Sequence, residues 1–516
     1  MTNKPAAALN DKAPSRGGAT PNDVGDDQTR TRPGANALYL IVASLGGRLF
    51  TLLLLLYTTQ TLKSDRYGNY IVVTSSVALF SFMTDLGLNL VGVRAVVQDR
   101  SLAQRYITNI LALRVVFAFI TIALVTALAQ RLVASDLRLA LFVYAVSLLP
   151  LAVSSTLLLV FQFTERFSYS AIITFATTVV RVALSILALW LGHSVLGLTV
   201  VFTLVSFGSA AVTAYIVYSR FLPFSFAISP SWWIVLLRQA APFAIVYALD
   251  YLYGRIDLQI LQVMKSCVHQ TTCAVAGQYG AAYNVLDVLT ATLVATVSAA
   301  LYPSINRVAT ESLEALARVV RSSYILLLTL GVGVAVFIAF YAVEVMRVIG
   351  GSEVNGFSDA APALAVLIWA LPLDLALSIM GSALIALHRQ WMIMIAFACA
   401  LVFNVAFNIL LIPRFSYGAS AALTTLSELL NLIILVVALR RAGVALELGR
   451  PTIKIVHVAA ATAVVLWATR GGGLLLGVPC GIITALVGLR LTRVLGPTER
   501  EVLVRFPLVG RYIGLL

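Results

Sequence analysis

Charged residues are scarce in this sequence. Asp, Glu, Lys and Arg make up 11% of the 516 residues, whereas about a quarter of a typical soluble domain is charged. Hydrophobic residues make up 60%, and the mean hydropathy is +0.95. Beyond the first 35 residues, no hydrophilic stretch is long enough for a soluble catalytic domain. The composition excludes an ordinary soluble enzyme and predicts an all-α polytopic membrane protein.

The motifs of several site classes are also missing. There is no P-loop, so the chain is not expected to be an ATPase. The four histidines lie mostly in loops and at segment ends and lack metal-site spacing, so we expect no metal and no bound cofactor. Among four cysteines, Cys267 and Cys273 share one short outer loop. In an oxidising compartment they can form a disulfide, and the sequence equally allows two free thiols.

The net charge of +14 does not indicate a nucleic-acid partner. Residues 1–35 hold five basic and four acidic residues, and the remaining excess is spread over short loops and the membrane interior. Such a distribution fits membrane topology and an anionic ligand better than a nucleic-acid footprint. Residues 1–35 contain no apolar run, so we predict a disordered tail that is not a signal peptide.

Fourteen apolar segments lie between residues 36 and 492. Each has roughly 17–27 residues, which suits a helix that crosses the hydrocarbon core. With the N-terminus inside, the inner side holds 24 Lys and Arg residues and the outer side holds eight. The positive-inside rule then predicts that both termini are cytoplasmic.

The segments show weak internal similarity. Gly47-Arg48 resembles Gly254-Arg255 at an offset of 207, and other matched pairs follow in the same order. This predicts two parallel six-helix lobes, an arrangement that usually holds substrate between the halves. The predicted organisation is a tail (1–35), an N-lobe (36–220), a cytoplasmic linker (221–235), a C-lobe (236–441), two additional transmembrane helices (442–492) and a cytoplasmic or interfacial tail (493–516).

The seventh segment, Pro242 to Met264, carries a polar stripe. Helical spacing places five residues on one face: Tyr247, Asp250, Tyr251, Gly254 and Asp257. Arg255 follows Gly254, but side chains two positions apart do not face each other, so Arg255 is expected to point elsewhere than Asp257. Charges at membrane depth are costly and commonly functional, although a static interhelical ion pair explains them too.

Other segments also hold polar groups. Arg48 and Arg181 are hard to satisfy without an anion or carbonyl oxygens, while Arg114 lies near the cytoplasmic end and is expected to snorkel. Lone Ser, Thr and Asn residues in membrane helices are more often packing contacts than ligands. The further polar candidates are Asp85, Asp287, Asn404, Asn408, Asp374 and Glu428.

Two stretches resemble a known family. The run from Tyr67 to Val96 has a Tyr-Gly start and an Asp-Leu-Gly-Leu stretch before a basic loop. The run from Asn404 to Leu430 has paired asparagines, a Leu-Ile-Pro exit, and a Ser-Glu pair. With the fourteen segments, these features resemble Wzx-type O-antigen or exopolysaccharide flippases of the multidrug/oligosaccharidyl-lipid/polysaccharide (MOP) exporter superfamily.

This resemblance implies a substrate, an oligosaccharide joined by diphosphate to a polyprenyl lipid, that moves from the cytoplasmic to the outer leaflet of the bacterial inner membrane. It also implies membrane lipid as surroundings and polymerase and chain-length proteins of the same pathway as partners.

Arginine suits a diphosphate because it binds two oxygens at once. We therefore expect the substrate to contact Arg48, Arg181, Arg255, Tyr247, Tyr251, Asn404 and Asn408. Coupling to H⁺ or Na⁺ is expected at Asp250, Asp257, Asp85 and Asp287.

Two other functions are compatible with parts of the sequence. A cation-coupled multidrug exporter shares the predicted fold, but interior arginines disfavour cationic drugs. A membrane-embedded polysaccharide polymerase or ligase needs outward catalytic groups, usually on a long outer loop, and every predicted outer loop is short. We therefore expect a transporter, not an enzyme.

Overall fold

Helices account for the regular secondary structure in the described part of the chain. The structure is a computed structural model, and it describes residues 33–221, 228–265, 273–351, 356–494 and 496. The α-helices, in chain order, are α1 (Pro33–Ser81), α2 (Leu88–Gln98), α3 (Ala103–Leu132), α4 (Arg138–Val146), α5 (Leu148–Phe163), α6 (Phe167–Trp190), α7 (Val195–Arg220), α8 (Pro230–Tyr253), α9 (Ile256–Met264), α10 (Ala274–Glu311), α11 (Leu313–Phe340), α12 (Ala342–Gly350), α13 (Ala361–Leu367), α14 (Ala370–Ala386), α15 (Gln390–Phe415), α16 (Tyr417–Arg441), α17 (Gly449–Ala468) and α18 (Gly473–Thr492).

The chain is a multi-pass membrane protein. In the described residues, twelve helical stretches are long and apolar enough to cross a membrane. One of them, Ala43–Val97, has 55 residues and covers the first two predicted segments. The twelve do not include α10. The predicted total of fourteen and the lobe boundaries stay predictions.

Several predicted segments are broken where the backbone leaves helical geometry. Lys63 interrupts α1 with φ 58° and ψ 172°. The second segment breaks again after Asp85, where Leu86 and Gly87 both have positive φ. A Cβ on Gly87 would lie 2.5 Å from that of Phe243, so only glycine suits this position. The seventh segment breaks between α8 and α9, at Gly254 and Arg255.

Helix α1 packs against both the earlier and the later parts of the chain. It lies along α6 on one side and along α10 on the other, and it also contacts α4, α9 and α12. The late helices α17 and α18 pack on each other, and α17 packs on α11. Polar residues on α1 are therefore placed between helices that precede and follow the predicted linker.

Two glycines allow α1 and α10 to touch through their backbones. A Cβ on Gly68 would lie 1.9 Å from the carbonyl oxygen of Cys273, and one on Gly277 would lie 2.0 Å from that of Ser64. No larger side chain fits at either position without separating the two helices. We call this contact, formed by Ser64, Gly68, Cys273 and Gly277, the α1–α10 closure.

Further hydrogen bonds hold α1 beside α12. The Thr59 hydroxyl donates to the carbonyl oxygen of Ile349 at 2.6 Å, and the Gln60 amide donates to that of Val348 at 3.1 Å. The α1–α10 closure is thus one part of a larger contact between α1 and later helices.

Candidate functional site

A polar cavity of about 280 Å³ lies between α1 and the helices α9 and α10. We call it the α1–α10 cavity. Its wall includes hydroxyl groups of Thr51, Thr58 and Thr74 on α1, and the break between α8 and α9 brings Arg255 into it. A continuous helix in this segment would have kept these backbone groups paired within itself. The break therefore turns the most highly charged part of the seventh segment toward a cavity.

Arg255 is neutralised in this cavity. Its guanidinium lies 3.1 Å from the Asp287 carboxylate, and it lies over the ring of Tyr283 at 5.7 Å. Both side chains of the ion pair remain more than a third exposed, at 38% and 39%. Arg255 does not form a salt bridge with Asp257, as the spacing of two residues predicted. An ion pair at a cavity wall can exchange partners when an anion enters.

Asp257 also lines the α1–α10 cavity, but it is only 2% exposed and has three hydrogen-bond donors. The Tyr279 hydroxyl donates at 2.5 Å, the Leu258 amide at 2.7 Å and the Thr424 hydroxyl at 3.1 Å. This donor set suits an ionised carboxylate, because a carboxylate accepts hydrogen bonds and does not donate them. Asp257 joins α9, α10 and α16 at one point.

A second cavity, of about 500 Å³, lies among α3, α5, α6, α7 and α8. We call it the hydroxyl-lined cavity. Its wall includes the predicted substrate residues Tyr247 and Tyr251, together with Asp85 and Arg114. Nine Ser and Thr side chains contribute to the same wall: Ser81, Thr84, Ser154, Ser155, Thr174, Thr177, Thr178, Ser206 and Ser209.

Arg181 stands between the two cavities without a carboxylate partner. It lines the hydroxyl-lined cavity, and its Nε is buried without a hydrogen-bond partner. The guanidinium lies 4.1 Å from the ring centre of Phe202, and it interacts electrostatically with Tyr144 and Tyr70, which line the α1–α10 cavity. The described residues therefore contain one buried guanidinium, next to both cavities, whose charge is not neutralised by a carboxylate.

The prediction that Arg114 snorkels is wrong. Arg114 is 4% exposed, and its Nε lies 3.4 Å from the Asp85 carboxylate. It donates to the Thr84 carbonyl oxygen at 3.0 Å, to Asn89 at 2.9 Å and to Thr156 at 2.7 Å. The break after Asp85 exposes the Thr84 carbonyl oxygen to this guanidinium. Arg114 is therefore a buried packing group, and Asp85 is its ion-pair partner.

Arg48 points toward α10. Its guanidinium donates to Thr292 at 3.3 Å and to Ser44, one turn away, at 3.4 Å. Arg255, its counterpart in the sequence repeat, also contacts α10, through Asp287. Both arginines of the matched pair therefore point to one helix. Arg48 does not line either of the two cavities described above.

The predicted substrate asparagines bind each other instead of facing a cavity. Asn404 and Asn408 are buried in the contact between α15 and α16. The Asn408 amide donates to the Asn404 side chain at 2.9 Å, Asn404 donates to Ser427 at 3.3 Å, and Ser420 donates to Asn408 at 3.1 Å. Neither asparagine lines the two cavities, and this arrangement is typical of interhelical packing.

Two predictions fall outside the described part of the structure. Asp250 lies in α8, and its side chain is not among those described. Cys267 lies in 266–272, outside the described residues, while Cys273 is buried at the start of α10. The pairing of the two cysteines therefore stays a prediction.

Some cavity residues carry no clear signal in the sequence. Tyr70 and Tyr144 line the α1–α10 cavity, but both lie in apolar runs without polar residues at helical spacing. Ser154 and Ser155 face the hydroxyl-lined cavity and are neighbours in an apolar segment. Only the packing of other helices shows that these residues share a cavity wall with Arg181 or Arg255.

Comparison with known proteins defines the family. The family described as "Polysaccharide biosynthesis protein" matches residues 34–309, which is more than half of the chain. The chain belongs to the polysaccharide biosynthesis protein family. This confirms the family resemblance and the role class that the sequence indicated. No curated protein matches the chain in sequence.

Solved structures similar to this family member show its fold. The lipid II flippase MurJ in an inward closed conformation is 11% identical, with a TM-score of 0.72 over 88% of this chain and 98% of that one. An inward-facing MATE-family multidrug resistance transporter is 12% identical, with a TM-score of 0.58 over 78% and 98%. A MOP superfamily transporter from Pyrococcus furiosus, described as having a binding pocket of reverse polarity, is 14% identical, with a TM-score of 0.56 over 80% and 97%. These neighbours are described as transporters or flippases, and their likeness assigns the chain the MOP-type fold.

Proposed function

We propose that this protein is a flippase that moves a polyprenyl-diphosphate-linked oligosaccharide from the cytoplasmic to the outer leaflet of a bacterial inner membrane. Its product would enter O-antigen, exopolysaccharide or capsule synthesis. The proposal includes fourteen transmembrane helices, two six-helix lobes, cytoplasmic termini and alternating access between the lobes. Membrane lipid would surround the polyprenyl chain, and polymerase and chain-length proteins would act next.

The observation that carries this proposal is the position of Arg181. A buried guanidinium without a carboxylate partner attracts an anion strongly, because burial removes the water that would otherwise stabilise the charge. Arg181 lies where the hydroxyl-lined cavity meets residues of the α1–α10 cavity. A diphosphate at Arg181 would leave the sugar in a cavity rich in hydroxyl groups and tyrosines, which are suitable partners for sugar hydroxyls.

Arg255 supplies a second phosphate contact in this mechanism. Because Asp287 neutralises it at a partly exposed ion pair, an entering diphosphate competes with Asp287 for the guanidinium. The released carboxylate is then available to bind a coupling cation, H⁺ or Na⁺. Asp250, Asp257 and Asp85 were predicted for the same role, and the hydrogen bonds of Asp257 and the ion pair of Asp85 favour Asp287 over these two.

The test is complementation of a flippase-deficient strain, with polymer measured at the cell surface at equal protein expression. Arg181→Ala should abolish surface polymer, and Arg181→Lys should restore part of it, since lysine keeps the charge but loses bidentate geometry. Arg138→Ala, at an exposed arginine before α4, is the matched control and should behave as wild type. Normal polymer output from Arg181→Ala would refute the phosphate role of Arg181.

The same strains distinguish the competing function. A multidrug exporter of the same superfamily would change sensitivity to cationic drugs and leave polymer output unaffected. Normal output from both Arg255→Ala and Asp257→Asn would remove these two residues from the mechanism.

A further inference from the structure

We propose that Asp374 and Glu428 form a site that holds one exchangeable proton, and that H⁺ at this site is the coupling ion. The site lies between α14 and α16, beyond the carboxylates named so far. This inference rests on the proposed function for its role in transport, but the proton site itself is tested independently of transport.

The geometry requires a shared proton. A hydrogen bond joins the carboxyl groups of Asp374 and Glu428. Two ionised carboxylates have no hydrogen to share, and their like charges repel strongly in a site of low polarity. One of the two groups must therefore be a carboxylic acid that donates to the other.

Neighbouring hydroxyl groups donate to the same pair. The Tyr253 hydroxyl donates to Oε1 of Glu428 at 2.9 Å, and the Thr290 hydroxyl donates to Oδ2 of Asp374 at 3.2 Å. These donors stabilise the single negative charge that remains when two carboxyl groups share one proton. They come from α8 and α10, so four helices meet at the pair.

An unpartnered amide lies beside the pair. Asn431 is 1% exposed, and neither its side-chain nitrogen nor its oxygen has a hydrogen-bond partner. It lies three residues after Glu428 on α16, and helical side chains lean over the preceding turn. An amide can donate to a carboxylate or accept from a carboxylic acid, so Asn431 suits a carboxyl group whose protonation changes.

The charged and titratable groups around the site connect it to the α1–α10 cavity. Asp287 on α10 interacts electrostatically with Asp374, and Tyr283 on α10 interacts with Glu428 and Tyr253. Arg255 reaches the same region through its ion pair with Asp287. Loss of that ion pair would expose Asp374 to the full charge of Asp287, so anion binding at Arg255 should strengthen proton binding at the site.

A proton suits this site better than a metal ion. The direct hydrogen bond between the two carboxyl groups already occupies the position between them. Within the part of the chain that the structure describes, no group of three or more His, Cys, Asp or Glu side chains is arranged to hold a metal ion.

The experiment is infrared difference spectroscopy on the purified full-length protein in lipid, titrated across pH with H₂O and D₂O. Wild-type protein should show the carbonyl stretch of a protonated carboxylic acid at neutral pH, shifted by deuterium. Absence of that band in the wild type overturns the proposal. Isotope-labelled aspartate and glutamate assign the band without any substitution, so a variant that fails to fold does not end the test.

Variants then locate the proton. Asp374→Asn and Glu428→Gln should each remove the band, whereas Asp257→Asn and the exposed control Glu314→Gln should keep it. Persistence of the band in both Asp374→Asn and Glu428→Gln places the proton elsewhere and overturns the assignment. Loss of the band on adding Na⁺ at constant pH overturns the choice of H⁺. A wild-type band in a protein that fails to complement the flippase-deficient strain would refute the proposed function and leave the proton site standing.

Discussion

The α1–α10 closure provides the sharpest structural prediction, because two backbones meet there with no side chain between them. Replacing Gly277 with Ala puts a methyl group 2.0 Å from the Ser64 carbonyl oxygen, and replacing Gly68 puts one 1.9 Å from that of Cys273. Contacts of a Cβ atom below 3.0 Å are essentially never found. The two helices must therefore separate by about 1 Å or more before either alanine fits.

The expected magnitude follows from this overlap. Overpacking of a tight contact costs about 1–3 kcal/mol, and a backbone carbonyl cannot move away as a flexible side chain can. If α1 and α10 part during transport, the cost applies to the closed arrangement alone. It would then shift the equilibrium toward the separated arrangement by about 5- to 150-fold.

Spin-label distance measurements test this shift. Labels at the exposed residues Asp65 and Val348 lie beside the closure, in protein whose free cysteines, Cys399 and Cys480, are replaced with Ser. Gly277→Ala should move the distance distribution to longer values. Gly208→Ala is the matched control, because a Cβ on this helical glycine has no atom within 4 Å, and it should leave the distribution unchanged.

The refuting result is a folded Gly277→Ala protein, and a folded Gly68→Ala protein, with the wild-type distance distribution. That outcome would mean that α1 and α10 accommodate the methyl group locally and that the closure does not bias conformation. If instead both variants lengthen the distance, their combined effect should be smaller than additive, since they relieve one shared contact.

Three further predictions concern buried polar contacts. Arg114→Ala should lower the unfolding free energy by about 3–5 kcal/mol, because it leaves part of a buried ion pair and its hydrogen bonds unmet; thermal unfolding in detergent measures this, and an unchanged transition would contradict it. Tyr279→Phe should cost about 1.5–3 kcal/mol through loss of its bond to the charged Asp257, whereas an equal loss in an Asp257→Asn background would show that the bond contributes nothing. A double-mutant cycle on Arg255 and Asp287 should give a coupling of only about 1 kcal/mol, since both are partly exposed, and a far larger value would argue against easy exchange with a diphosphate.

Several features of the site were predictable from local sequence. Charges in the seventh segment announced a polar interior, and the spacing of two residues correctly separated Arg255 from Asp257. Pro242 and Gly254 indicated that this segment can bend, and the break does occur at Gly254. Each of these depends on residues within a few positions of one another, where helical geometry fixes relative direction.

The partners of the charged groups were not predictable in the same way. Arg114 was expected to reach the membrane surface, yet Asp85 and Thr156, from two other segments, hold it inside. The two asparagines on α15 were predicted to contact substrate, yet they bind each other and α16. A polar residue in an apolar helix has the same local sequence signature whether a ligand or another helix satisfies it.

By itself, the sequence determined that this protein crosses the membrane many times, belongs among polysaccharide exporters and carries arginines at membrane depth, because composition, segment length and family motifs are properties of the chain alone. Only the tertiary structure decided which arginine is neutralised and which is not. Arg255 meets Asp287 32 residues away, and Tyr253 meets Glu428 175 residues away. The period of one helix fixes the direction of a side chain around that helix, but the neighbouring helix that it meets is set by the packing of the whole bundle.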